Sequence, residues 1–183
     1  TSVFKDSKIN NKSKLNDTPS GTVEIVAMTL FGQEFSLMSA GPLFKFNPSI
    51  SFSIACKTKE EVNELWEKLS KNGKALMELD EYPFSERYGW IQDMYGVSWQ
   101  IISMGDIKIT QKITPVLIFT KNIYGKAEEA INFYVSIFKE AKVGNIFRYS
   151  KAQEPDKEGT IAHASFMIES QQFAVMDSAR EHN

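Results

Sequence analysis

Hydrophobic residues recur along this chain with two periods, and each period predicts a different kind of element. In "TKEEVNELWEKLSKNG" the apolar residues stand three and four apart, as on one face of a helix; they are Val62, Leu65, Trp66 and Leu69. Thr58 and Glu61 form a capping-box pattern and Asn72-Gly73 is a typical helix end, so we predict a helix over 59–72. The same spacing in "KAEEAINFYVSIF" predicts a second helix over 126–138.

The other apolar segments are short and bounded by Gly, Pro, Asn and Asp, which is typical of strands. The predicted strands cover 22–30, 34–38, 50–56, 88–92, 97–103, 112–119, 143–149, 160–169 and 172–177, with a less regular one near 75–79. Residues 1–20 are polar and have little apolar periodicity, so we expect a loop or a frayed strand there. Their lysines form a basic patch without interleaved aromatic residues, which argues against nucleic-acid binding.

An internal repeat organises these elements. "GTVEIVAMTLFGQEFSLM" (21–38) aligns without gaps with "GTIAHASFMIESQQFAVM" (159–176), and "TSVFKDSKI" (1–9) aligns with "VSIFKEAKV" (135–143). The repeating unit has the order strand, helix, strand, strand, strand, and it begins near Ile50 and again near Ile113. Residues 1–47 would then be the tail of an earlier unit whose first strand and most of whose helix are missing.

Composition narrows the possible partners and the compartment. The chain has 183 residues, 42% of them hydrophobic and 24% charged, which is enough for one or two compact domains. With 21 basic and 23 acidic residues it has no overall positive field for nucleic acid or an anionic membrane. It shows no signal peptide and no run of 18 apolar residues, and its single cysteine cannot form an intramolecular disulfide, so we expect a cytoplasmic protein. Cys56 ends the apolar run "ISFSIAC", and we expect an inert, half-buried thiol.

The strand "VSWQII" raises a question of chemistry. Its alternation places Val97, Trp99 and Ile101 on one face and Ser98, Gln100 and Ile102 on the other. An amide at position 100 therefore stands on a face where a core would favour another Val. It either faces a ligand in a cavity or is a buried amide with a hydrogen-bond partner, and the sequence leaves both interpretations open.

Other candidate groups have simpler structural interpretations. His163 lies within a predicted strand and His182 near the end of the chain, and neither belongs to a pattern typical of a catalytic triad. The acidic residues of "ELDEYPFSER" predict a solvated loop that could hang over a cavity. Trp66 is expected between helix and sheet, whereas Trp90 or Trp99 could line a hydrophobic cavity.

Four segments carry a resemblance to a known family: "ITPVLIFT" with "AEEAINFYVSIF", "GQEFSLMSAGPLFKFNPSISFSI", "KEEVNELWEKLSKNG" and "YGWIQDMYGVSWQI". Together with the paired βαβββ order they resemble the PhnB-like group, labelled 3-demethylubiquinone-9 3-methyltransferase, of the vicinal oxygen chelate superfamily. The resemblance implies an α+β fold of tandem paired βαβββ units, with curved mixed sheets of the glyoxalase/bleomycin resistance type and helices on the outer faces. It further implies a first domain over 1–104, a linker over 105–111 and the first half of a second domain over 112–183.

The resemblance also bears on metal binding, because metal-using members draw ligands from the first and last strands of each unit. By position, Gln100 falls where those members have a glutamate ligand. The other corresponding positions hold Ser51 (or Ile50), Thr114, Ser39 and Asp177. An amide and hydroxyls make a poor transition-metal site, so we expect a metal-free first cup, while a divalent metal stays possible in the second domain.

The resemblance therefore leaves two kinds of function open. The first is a small-molecule-binding protein in which Gln100, Ser51 and Ser39 orient a ligand, for instance an aromatic or quinone-like compound. The second is a metal-dependent glyoxalase- or dioxygenase-type enzyme, or a methyltransferase by label, although the chain lacks the glycine-rich turn typical of S-adenosylmethionine and nucleotide sites. In this superfamily the open sheet edges find partners in the same chain or in a second subunit, and we expect a homodimer.

Overall fold

The computed structural model describes residues 3–39, 41–42, 44–151 and 153–180. It contains two α-helices, α1 (Lys59–Leu69) and α2 (Ala127–Ile137), and a 3-10 turn at Lys121–Ile123. The strands are β1 (Lys8–Thr18), β2 (Gly21–Leu30), β3 (Gln33–Met38), β4 (Ile50–Cys56), β5 (Lys74–Tyr82), β6 (Ser85–Gln92), β7 (Ser98–Ser103), β8 (Ile113–Phe119), β9 (Lys142–Arg148), β10 (Ile161–Ile168) and β11 (Gln171–Asp177). No helix among the described residues has the length and apolar character needed to cross a membrane.

The predicted unit appears twice in one large sheet. Eight strands run in the order β5-β6-β7-β4-β8-β11-β10-β9, while β1, β2 and β3 form a separate sheet. Within each unit the first and last strands are parallel neighbours, β4 with β7 and β8 with β11. The units meet where β4 and β8 pair antiparallel, with Phe52 opposite Pro115. This mixed sheet with its two helices confirms the α+β fold.

The two faces of the large sheet bury different residues because side chains alternate along each strand. One face carries the helices: α1 packs over a cluster that includes Ile54, Ile91 and Ile101, and α2 over one that includes Phe166 and Val175. The opposite face, which we call the cup face, buries a third cluster, made of Tyr88, Trp90, Val116, Ile118 and Ala174. The alternation predicted for "VSWQII" is confirmed, since Trp99 and Ile101 lie on the helix face and Ile102 packs on the cup face.

The helix ends follow local capping chemistry. The Thr58 side chain accepts a hydrogen bond from the backbone N–H of Glu61, as the capping-box pattern predicts. The carboxylate of Glu61 accepts from the N–H of Lys57, one residue before the cap. Helix α1 ends at Leu69, three residues earlier than predicted, and the chain then turns through Asn72, whose φ of 57° is left-handed.

Residues 8–18 form a full strand where we predicted a loop or a frayed strand. Strand β1 pairs antiparallel with β2 along its length, yet nearly every one of its side chains is exposed. A strand that is open to solvent on both faces has no reason to alternate apolar and polar residues, so periodicity could not reveal it. The tip of the β2–β3 hairpin packs on the α1 cluster through Leu30 and Phe31.

The sheet runs across the predicted linker. Residues 105–111 join β7 to β8, and these strands flank β4 in the same sheet. In this structure the unit over 50–103 therefore pairs with the unit over 113–177, whereas strands β1–β3 stay outside the large sheet. Without this pairing, β4 and β8 would each leave one edge of unpaired backbone N–H and C=O groups. Their antiparallel pairing satisfies these groups.

Candidate ligand site on the cup face

Three neutral side chains form a hydrogen-bonded trio on the cup face. Tyr88 comes from β6, Gln100 from β7 and Ser51 from β4, and these three strands are consecutive neighbours in the sheet. The Tyr88 hydroxyl donates to Oε1 of Gln100 at 3.0 Å, and Nε2 of Gln100 donates to Oγ of Ser51 at 2.8 Å. All three residues are buried, with relative exposures of 5%, 6% and 0%. The amide at position 100 is thus a cup-face residue with a hydrogen-bond partner at both its oxygen and its nitrogen.

Trp90 lies beside the trio on the same face. It stands opposite Gln100 in the β6–β7 pairing, and its ring nitrogen donates to Oγ of Ser98 at 2.6 Å. Trp99 instead contacts Phe52 and Phe4 on the helix face. Of the two tryptophans predicted as possible cavity residues, Trp90 is the one on the cup face.

An apolar wall lies beside the trio. Leu76 and Met77 from β5, Ile102 from β7 and Met176 from β11 pack against the buried cup-face cluster. The far end of the same face is more open: the rings of Phe147 and His163 lie 6.5 Å apart there, and both side chains are exposed. His163 is therefore a strand-face residue, whereas His182 lies outside the described residues.

Burial keeps the hydroxyl of Tyr88 and the thiol of Cys56 protonated. Desolvation raises the pKa of Tyr88 far above its ordinary value, so its hydroxyl acts as a neutral donor and not as a base. On the helix face, burial raises the pKa of Cys56 to about 12, with the charge of Glu61 adding to the effect. The Cys56 thiol is fully buried, more than the half-burial we predicted, and it is protonated at neutral pH.

Thr114 belongs to the cup face of the second unit. It stands opposite Ser53 where β4 and β8 pair, and its parity matches that of Val116 and Ile118. Its hydroxyl accepts a hydrogen bond from Gln111 at 3.3 Å. Ser51 and Thr114 thus lie at corresponding positions in the first strands of the two units.

Ser39 is not brought to the trio. It follows β3 in the small sheet, it is exposed, and its hydroxyl accepts from the backbone N–H of Glu24 at 2.9 Å. It belongs to a different sheet from Gln100, which departs from the expectation that both orient one ligand.

Asp177 points to the helix face. One carboxylate oxygen accepts from the N–H groups of Gly125 and Ala127 at 2.8 and 3.2 Å, and the other accepts from the N–H of Ile161 at 2.9 Å. The carboxylate thereby satisfies free backbone donors at the start of α2, in the manner of a helix cap. Because Met176 takes the cup-face position, the expectation that Asp177 lines the cavity does not match this placement.

The cup-face residues do not suit the divalent metal that the resemblance leaves possible. At the corresponding cup-face positions stand an amide, two hydroxyls and the thioether of Met176, and the amide is already engaged by Tyr88 and Ser51. Divalent transition metals are held mainly by imidazole, thiolate and carboxylate groups. Within the described ranges, no group of three or more His, Cys, Asp or Glu residues could hold an ion.

A cavity of about 330 Å³ lies away from the trio, between the β2–β3 hairpin and the start of β8. Its lining consists of Gln33, Glu34, Phe35, Ile113, Pro115 and Gln171. Gln33 clamps the backbone of Ile113, accepting from its N–H at 2.6 Å and donating to its carbonyl at 2.9 Å. The Gln33 amide therefore joins the small sheet to the large one.

Sequence reasoning missed two residues next to the trio. Tyr82 and Phe84 lie within the segment that we predicted as an acidic loop, and their rings contact Tyr88. The sequence feature that could have revealed these two residues is the spacing of the aromatic residues in "YPFSERY", and not the carboxylates around them.

Comparisons with known proteins agree with this fold. The chain is 37% identical to a protein from Bacillus cereus described as a 3-demethylubiquinone-9 3-methyltransferase, PhnB protein; the match covers 56% of this chain and 84% of that one, with a TM-score of 0.50. Glyoxalase I from Zea mays is 16% identical over 97% of this chain and 61% of its own, with a TM-score of 0.54, and so shares the fold. No curated protein sequence matches the chain.

A family model described as 3-demethylubiquinone-9 3-methyltransferase matches residues 1–102 and 111–183. The two matched stretches separate close to the connection between β7 and β8, and together they cover almost the entire chain. The chain therefore belongs to this PhnB-like family of the vicinal oxygen chelate superfamily.

Proposed function

We propose that this protein binds a small organic molecule on its cup face and does so without a metal ion. The observation that carries the proposal is the buried, neutral trio of Ser51, Tyr88 and Gln100. By the resemblance, Gln100 and Ser51 stand at positions where metal-using members have residues that coordinate the metal. The trio stands beside an apolar wall, and a mainly apolar lining is the usual composition of a small-molecule site. Leu76, Met77, Ile102 and Met176 pack against the buried cup-face cluster, and we expect a ligand to displace part of this wall.

The polarity of the trio defines what it can recognise. The Tyr88 hydroxyl and one Gln100 N–H are used as donors inside the trio. Ser51 accepts from Gln100, and within the described part of the chain no acceptor takes its own hydroxyl proton. A ligand that offers a carbonyl or similar oxygen would satisfy this proton, whereas a purely apolar ligand would leave it without a partner.

The alternative is an enzyme of the superfamily, either metal-dependent or, by the family description, a methyltransferase. The metal alternative is weakened by Asp177, whose carboxylate is engaged at the start of α2. The methyltransferase alternative rests on the name of the family and on the similar protein from Bacillus cereus.

One set of titrations separates these functions. The purified chain is assayed for bound metal and then titrated with Zn²⁺, Ni²⁺, Mn²⁺ and Fe²⁺, with S-adenosylmethionine, and with 1-tetralone, a bicyclic ketone. We expect binding of the ketone only, weakened about three- to tenfold by Gln100→Met, because Ser51 loses the Gln100 N–H that orients its hydroxyl, a hydrogen bond worth about 1 kcal/mol. Gln92→Met is the matched control, since Gln92 donates to Gly96 in the β6–β7 turn and stands outside the trio.

A stoichiometric metal with a matching thermal shift, or saturable binding of S-adenosylmethionine, would replace this proposal by the corresponding enzyme. Equal ketone affinity in Gln100→Met and in the unmodified chain would remove Gln100 from the site. We further propose that the chain forms a homodimer, because β9 and β1 both present open edges.

A further inference from the structure

An aromatic cluster sits at the end of the β5–β6 hairpin. The rings of Tyr82 and Phe84 are stacked, with centroids 5.6 Å apart and planes 19° apart. Both rings meet Tyr88 edge to face, at 5.5 and 5.0 Å. We call these three residues the aromatic triad.

The aromatic triad and the hydrogen-bonded trio share one residue. The ring of Tyr88 contacts Tyr82 and Phe84, while its hydroxyl donates to Gln100. An aromatic surface therefore borders on the Gln100 amide. Gln100 in turn connects this surface to the Ser51 hydroxyl that we propose to contact the ligand.

The outer part of the triad is accessible. Phe84 is 61% exposed, whereas Tyr88 is 5% exposed, so burial increases from the tip of the hairpin to the trio. An aromatic side chain this exposed buries little area in the free protein and has a ring face available for a further contact.

The hairpin that carries the triad is irregularly paired. Strand β5 is an edge strand of the large sheet, and its pairing with β6 shifts register at three places, between Ala75 and Met77, Met77 and Asp80, and Asp80 and Tyr82. Such bulges interrupt the ladder of backbone hydrogen bonds. Displacing this edge disturbs fewer regular hydrogen bonds than displacing a central strand would.

From these observations we propose that the ligand of the cup face is an aromatic ring that bears a neutral hydrogen-bond acceptor, and that Tyr82 and Phe84 select for the ring. This inference rests on the proposed function and adds the class of ligand to it. The ring stacks on the triad at the hairpin tip, while its acceptor oxygen accepts a hydrogen bond from the Ser51 hydroxyl.

Three bicyclic probes of nearly equal size separate the two requirements. 1-Tetralone has an aromatic ring and a ketone, 1-decalone has the ketone on a saturated frame, and tetralin has the aromatic ring without the ketone. The affinity of each probe is measured with the full chain and with Phe84→Leu, which removes the ring and keeps an apolar side chain. Phe44→Leu is the control, because Phe44 is 75% exposed and is not part of the triad.

We expect 1-tetralone to bind about three- to tenfold more tightly than either other probe, which is the range that ring contacts and single hydrogen bonds supply. Phe84→Leu is expected to abolish the preference over 1-decalone, and Phe44→Leu to preserve it. Equal binding of the two ketones, with both still weakened by Gln100→Met, would overturn the aromatic selection and leave the proposed function standing. Tetralin binding as tightly as 1-tetralone would overturn the acceptor requirement, and no binding of any probe would overturn the proposed function together with this inference.

Discussion

At the scale of single residues, Tyr88 links the stability of the protein to pH. Its pKa is raised by burial, whereas in the unfolded chain it titrates near its ordinary value of about 10. The folded state therefore holds this proton more tightly, and the resulting stability is present below about pH 10 and is lost as the pH rises toward the folded pKa. We expect the free energy of unfolding to fall between pH 9.5 and 11.5, as measured by urea denaturation.

Tyr88→Phe isolates this effect, because it removes the hydroxyl and keeps the ring within the aromatic triad. We expect the variant to be less stable at pH 7 by about 1 kcal/mol, the value of one hydrogen bond, and to lose less stability above pH 10. Other buried groups such as Cys56 titrate in both proteins, so the difference between the two curves belongs to Tyr88. Parallel curves would mean that the Tyr88 hydroxyl is not buried as described.

At the scale of elements, Asp177 fastens the start of α2 to the end of β11. Its carboxylate accepts three backbone N–H groups, and the residue is 1% exposed. Asp177→Ala leaves these donors without partners, and we expect it to lower the free energy of unfolding by roughly 3 kcal/mol. The measurement is urea denaturation, with Glu129→Ala as the control, since Glu129 is an exposed residue of the first turn of α2.

The same variant tests which face of the sheet Asp177 serves. Because the carboxylate lies on the helix face, 1-tetralone should bind the folded Asp177→Ala protein as tightly as the unmodified chain. A variant of unchanged stability that no longer binds the ketone would show that Asp177 lies on the cup face, as we expected from the sequence.

At the scale of the whole molecule, the outer end of the second unit presents an apolar surface. Strand β9 ends the large sheet and all of its side chains are exposed. The exposed apolar residues of this surface are Phe133, Ile137 and Phe138 around the end of α2 and Val143 and Ile146 on β9. An open edge strand beside exposed apolar side chains is a site of association.

We expect light scattering to find a particle of twice the 20.8 kDa chain mass, and Ile146→Lys to shift the mass toward that of one chain. A lysine on an edge strand opposes pairing with a second strand. The control is Ile107→Lys, an exposed apolar residue in the segment between β7 and β8. A single-chain mass for the unmodified protein at all concentrations would contradict the homodimer.

The sequence by itself determined the elements and the family, because both depend on local patterns. Helices α1 and α2 follow from the spacing of their apolar residues. The alternation along β7 placed Gln100 on the other face of the strand from Trp99 and Ile101. The repeat of 21–38 in 159–176 also reappears in three dimensions: Leu30 pairs with Gln33 as Ile168 pairs with Gln171.

Only the tertiary structure decided which elements meet. That β4 pairs with β8, that Asp177 turns toward α2 and that Tyr82 and Phe84 reach Tyr88 all depend on contacts between segments that periodicity treats separately. Strand β1 was not predicted for a different reason: a strand exposed on both faces has no alternation of apolar and polar residues to detect. Periodicity records which face of an element is buried, and it does not record what that face is buried against.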